Sequence, residues 1–233
     1  MKTNAFRWLA IAAAVLSVAA CKLDDDSFDP SIMNPSALVT VKPSADGSSF
    51  VMQLDDETVL QPVNLTKSPF GNKEVRALVN YRKPKSDEVP AYSSVHIDNQ
   101  VYVNWMDSIL TKQAVSCFGK DDSIYGDDPV EIVGDWTTVV EDGYITLRFR
   151  TYWSSGIVHK VNLVYGTDPD DPYKVVFHHD ANGDHYGESG DGLVAFRLAG
   201  LPDTAGKEVD LTLEWQSFSG KKTATFKYRT RPE

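Results

Sequence analysis

The chain has 233 residues, 42% of them apolar, enough to bury one large hydrophobic core or two modest ones. Charges are well mixed and aromatic residues are frequent, which excludes a wholly disordered chain. A formal net charge of -10 repels phosphate backbones and anionic headgroups, so neither nucleic acid nor polybasic membrane docking is expected.

The first elements form an export signal. Met1 to Arg7 carries Lys2 and Arg7 and no acid. Trp8 to Ala20 (WLAIAAAVLSVAA) is a charge-free apolar stretch of 13 residues. A membrane-spanning helix needs roughly 20, so residues 1–20 fit a signal peptide instead. The stretch ends Val18-Ala19-Ala20-Cys21, which resembles the bacterial lipobox. In that motif small residues fit the peptidase and the cysteine sulfur takes diacylglycerol, a step for which serine is too weak a nucleophile. Val18 departs slightly from the Ala, Ser or Gly frequent at its position. Cys21 is therefore the expected lipidation site; an ordinary signal peptide with a chance cysteine is the plainer alternative. Acyl chains contribute about 0.8 kcal/mol per buried methylene, so the N-terminus is expected to hold the protein on a membrane.

Residues 21–35 read as an acidic tether. Within it Asp24, Asp25 and Asp26 resemble the acidic surface-export signal of lipoproteins in Bacteroidota. This points to a lipid-anchored protein of the outer membrane that faces the cell surface. The alternatives are a merely solvated linker and periplasmic retention. With Cys21 lipidated, Cys117 has no intrachain disulfide partner and is expected to be a small buried hydrophobe.

From residue 36 onward no amphipathic helix stands out, and short alternating runs separated by turn residues indicate β-strands. Ala37 to Lys42 and Phe50 to Leu54 are strands joined at Ala45-Asp46-Gly47. Glu74 to Arg82 is a longer one. Ser94 to Asp98 and Val101 to Asp107 read as a hairpin around Asn99-Gln100. About five strands suit a small OB-like barrel over residues 36–118, or an open sheet. Gly119 to Pro129 (GKDDSIYGDDP) reads as an interdomain linker or long loop. In residues 130–233, Tyr144 to Tyr152 places Ile145, Leu147 and Phe149 on one face and polar residues on the other. Val161 to Tyr165, Lys174 to His178, Leu193 to Leu198, Val209 to Trp215 and Thr223 to Tyr228 continue the pattern. The fold class expected is all-β, an OB-like barrel followed by an antiparallel β-sandwich.

The lipobox, the acidic tether, RALVNYRKPK at 76–85, VNLVYG at 161–166 and DGLVAFRL at 191–198 resemble the NigD-like lipoproteins of Bacteroidota. The resemblance implies the same two domains and an association with bacteriocin loci. It carries over no functional residue.

Candidate chemistry is sparse. His178 to His185 (HHDANGDH) holds metal-donor residue types, and Asp180, Asn182 and Asp184 alternate as calcium ligands would. His185 and Asp191 then stand where an EF-hand needs Gly and Glu. In a strand His178 and His179 point to opposite faces, which disfavours zinc. A polar hairpin loop is the plain reading. No nucleophile elbow or Cys–His pair occurs, and paired acids sit in loops, so neither an enzyme nor a cofactor is expected. Trp105, Trp136, Trp153 and Trp215, with Tyr152 and Tyr186, form either core or a stacking platform for sugars. Ser108, Ser123 and Thr204 lie in Asp-Ser/Thr-apolar triplets that resemble Bacteroidota O-glycosylation sites. The expected function is a non-enzymatic, surface-anchored interaction module for an extracellular or periplasmic protein or polysaccharide. Carbohydrate binding is the alternative, and a calcium-dependent domain a third.

Overall fold

A computed structural model describes residues 30–89, 99–117, 121–154 and 156–232. Cys21, Asp24, Asp25 and Asp26 lie outside the described residues, as does the expected strand at 94–98. The chain divides between Ser31 and Ile32, and the second of its two units, Ile32–Glu233, is compact.

The second unit begins with a closed five-stranded barrel. Its strands are β1 (Ala37–Pro43), β2 (Phe50–Gln53), β3 (Val59–Pro62), β4 (Val75–Arg82) and β5 (Gln100–Ser108), in the order β1-β2-β3-β5-β4. β1 and β2 turn where expected: Asp46 accepts from the Ser48 amide, and Gly47 takes a left-handed φ of 67°. Period-two alternation sends Val39, Val41, Phe50, Met52, Ala77, Val79, Val101 and Val103 into the barrel. β3 is too short to show a period in the sequence, yet it closes the barrel between β2 and β5.

The sandwich starts earlier than the acidic segment at 119–129. β6 (Leu110–Gln113) pairs parallel with β13 (Glu188–Arg197), and β7 (Val115–Ser116) parallel with β11 (Lys160–Tyr165). One sheet runs β6-β13-β10-β8, where β10 is Tyr144–Trp153 and β8 is Glu131–Ile132; β9 (Val139–Glu141) also pairs with β10. The other runs β15-β14-β12-β11-β7, with β12 Lys174–Asp180, β14 Val209–Ser217 and β15 Gly220–Tyr228. With a third parallel pair, β12 with β14, the sandwich is mixed rather than purely antiparallel. Ile145, Leu147 and Phe149 pack against Leu163, Phe177, Leu211, Leu213 and Trp215 between the sheets. Cys117 is buried at the end of β7, 7% exposed.

Residues 121–129 are not a free linker. Asp122–Tyr125 form a 3-10 turn capped by the Asp121 side chain, and the Asp128 amide donates to the His179 carbonyl at 2.9 Å. The segment is a strap across β12. Gly126 permits this approach: at φ 86°, a Cβ there would lie 2.7 Å from the His179 carbonyl oxygen.

Charges join barrel to sandwich. Arg76 on β4 is fully buried; it donates to Thr40 at 3.0 Å and Thr146 at 3.4 Å and pairs with Glu141. Lys42 meets Asp142 at 2.7 Å, and Tyr144 donates to Glu74 at 2.6 Å. Arg231 reaches Glu74 at 2.8 Å.

Candidate functional site

β10 starts at the barrel and runs ten residues away from it, roughly 30 Å at a strand's rise per residue. Its far end, Trp153, lies across from Glu188, and β11 starts beside the end of β12, Lys160 across from Asp180. The β14–β15 turn at 218–219 lies between the strand ends Ser217 and Gly220. Loop residues 154, 156–159, 181–187 and 218–219 therefore gather at the end of the sandwich far from the barrel.

A buried polar chain holds these loops. Val175, Phe177 and His179 are the inward residues of β12, so the alternation that builds the core also buries an imidazole. A buried imidazole must find partners. His179 Nε2 lies 2.9 Å from His159 Nδ1, and His179 Nδ1 lies 3.2 Å from the Asp128 carbonyl. His159 Nε2 reaches Asp184 at 3.1 Å, and its ring stacks on Trp153 with centroids 4.2 Å apart. Asp184 also accepts the Ser154 amide and hydroxyl, each at 2.6 Å. These Ser154 contacts lead in holding the Asp184 carboxyl below its ordinary range. The Asp184 carboxylate and the Asp128 carbonyl both only accept, so the ring nitrogens facing them can serve them only as donors. Burial is the main reason that the His179 pKa lies below its ordinary value.

This chain braces loops. Ser154 donates its hydroxyl to the Asp184 carboxylate rather than to an imidazole. What the braced end presents is apolar: Tyr186 is 83% exposed and Val158 73%, beside Tyr152, Ile157 and Phe218. Tyr152 and Phe218 meet edge to face at 5.5 Å.

The other sequence-derived candidates scatter. Asp180 caps the turn by accepting the Asn182 amide at 2.8 Å and pairs with Lys160 at 3.3 Å. Asn182 is exposed with φ 54°, while Asp184 faces Ser154 and His159. The calcium trio thus has three separate sets of neighbours, and no cluster of three metal-ligating side chains occurs among the described residues. Ser108 and Ser123 are exposed. Thr204 corrects its expectation as a glycosylation site: it is 5% exposed and its hydroxyl accepts the Thr230 amide. Of the platform aromatics, Trp215 is core, Trp153 is committed to His159 and to the Gly190 carbonyl, and Trp105 donates to the Ile32 carbonyl. Trp136 is 53% exposed. Sequence reasoning missed His159, Ser154 and Asp128, because a partner 20 residues distant from His179 leaves no local spacing signal. A polar residue at an inward strand position was the signal available.

No helix among the described residues is long and apolar enough to cross a membrane. No curated protein matches the chain. Among solved structures, a toxin-related protein of Parabacteroides distasonis is 33% identical, with a TM-score of 0.64 over 83% of this chain and 92% of that one. A NigD-like immunity protein of Bacteroides caccae shares the fold at 20% identity and TM-score 0.55, over 83% of this chain and 95% of its own. A lipoprotein of Bacteroides fragilis does so at 12% identity and TM-score 0.56, over 84% and 98%. The model of the NigD-like N-terminal OB domain matches residues 38–109, and that of the NigD-like C-terminal beta sandwich domain residues 113–228. With barrel and sandwich both matched, the chain belongs to the NigD-like family.

Proposed function

We propose that this protein is a non-enzymatic lipoprotein, anchored through Cys21 to the outer membrane and facing the cell surface. There it binds a protein toxin and so acts in bacteriocin immunity. The observation that carries the reading is the apolar loop end of Tyr152, Val158, Tyr186 and Phe218, exposed yet braced from beneath by Asp184, His159 and His179. Rigid exposed aromatics are what a protein partner can bury at low entropic cost. A net charge of -10 suits a basic partner and speeds its encounter. The immunity description of one structural relative points the same way.

The test is expression in a bacteriocin-sensitive Bacteroides strain, with survival read against the bacteriocin of the same locus. Survival should rise, and a Tyr186→Ala/Phe218→Ala double variant should lose most of the gain at equal protein level. Equal killing with and without the protein would sink the reading. Fatty-acid labelling abolished by Cys21→Ser, and protease access on intact cells reduced when Asp24, Asp25 and Asp26 are changed to Ala, test the anchor and its surface address.

A further inference from the structure

We propose that the cleft beside Trp136 is a binding site for a neutral saccharide, separate from the loop end. The cleft measures about 530 Å³, within the usual range for small-ligand sites. Asn34, Pro35 and Leu78 form its barrel side; Trp136, Arg148, Asp191 and Leu193 form its sandwich side.

A tight turn sets the indole in place. The Asp135 carboxylate accepts the Thr137 amide at 2.9 Å and hydroxyl at 2.6 Å, and the Thr138 amide closes on the Asp135 carbonyl at 3.1 Å. Trp136 is the second residue of this turn and projects outward. It is the one exposed tryptophan among the described residues, 53% accessible. Exposed at the edge of the cleft, the indole offers a flat apolar face to whatever enters it.

The floor beside it is built from planar polar groups. Arg148 and Arg150 share the outer face of β10, across from Leu193 and Asp191 on β13. Arg148 donates to Asp135 at 2.5 Å and to Asp191 at 2.7 Å, and Arg150 donates to Asp191 at 2.6 Å. In the cleft lining Arg148 balances Asp191, and behind them Arg150 balances Asp135, so the site asks for no charge on its ligand. Their interlocking holds each plane still, and fixed guanidinium and carboxylate edges suit paired hydroxyls. Pro35, Leu78 and Leu193 add apolar walls. One flat apolar face, rigid polar edges and net neutrality match a sugar ring, which has a C–H face and a rim of hydroxyls.

Affinity electrophoresis tests this, using the chain from Lys22 onward, which contains the whole Ile32–Glu233 unit. Gels would hold galactomannan, xylan, mixed-linkage β-glucan or, as the charged comparison, polygalacturonate. At least one neutral polymer should retard the protein. Trp136→Ala should weaken that retardation at least about tenfold, Arg148→Lys should weaken it partly, and Tyr186→Ala should leave it unchanged. Because Trp136 is exposed, the variant should melt with the wild type. No retardation by any neutral polymer, retardation by polygalacturonate alone, or full retardation of Trp136→Ala would each overturn the proposal. Loss in Tyr186→Ala would also overturn it, by moving the saccharide to the loop end. Toxin protection depends on Tyr186 and Phe218, so the two readings fail independently.

Discussion

Two histidines adjacent in the chain have opposite surroundings. His178 faces outward beneath the strap, with Nδ1 2.8 Å from the Gly126 carbonyl, while His179 faces the core and His159. Burial makes His179 harder to protonate in the folded chain than in the unfolded one, whose imidazole titrates near 6.5. Below that value the unfolded state takes the proton first. Stability is therefore greatest above pH 6.5 and falls as the pH drops toward the folded pKa. The urea midpoint should be lower at about pH 5.5 than at about pH 7.5, with a smaller difference in His179→Gln. An undiminished difference in that variant would refute the assignment. The opposed faces of His178 and His179 follow from strand geometry and were legible in the sequence. Their partners were not, because Gly126, Asp128 and His159 lie 20 or more residues distant.

At the scale of elements, legibility followed length. β10, β14 and β4 are eight to ten residues long, and their alternation names both faces. β3, β7, β8 and β9 have two to four residues, fewer than any period needs, and exist because a neighbouring strand supplies their hydrogen bonds. The strap at 121–129 shows the converse case. Its acidic, Gly- and Pro-containing composition is that of a linker, yet Asp128 accepts the Ala181 amide at 2.7 Å and Gly126 packs on β12. Gly126→Ala combines a left-handed φ with a backbone clash, and should cost about 1–3 kcal/mol. Hydrogen exchange at the Gly126 and Asp128 amides should quicken, with the barrel amides unchanged. Unaltered exchange in the strap would show that it does not depend on the close approach.

At the scale of the molecule, ion pairs and hydrogen bonds join the barrel to the sandwich. Burial pushes the Glu141 carboxyl above its ordinary value, and Arg76 is the main influence drawing it back. Replacing Arg76 with Met leaves Glu141 without its guanidinium and Thr40 and Thr146 without their donor. The loss should be about 3 kcal/mol. Calorimetry should then separate the barrel transition from that of the sandwich, where the native protein should melt as one. A single unshifted transition would show that the interface does not couple the two.

The strand-rich character, the two-domain order and the inward faces of the long strands could be read from the sequence alone. Each rests on local order, in turn residues or a period of two. Tertiary structure alone decided that Thr204 is buried, that Trp215 is core while Trp136 is open, and that Asp184 joins His159 rather than Asp180. These outcomes depend on strand register and on contacts as distant as Arg231 to Glu74, 157 residues apart. Side-chain alternation along one strand does not determine which other strand will lie beside it.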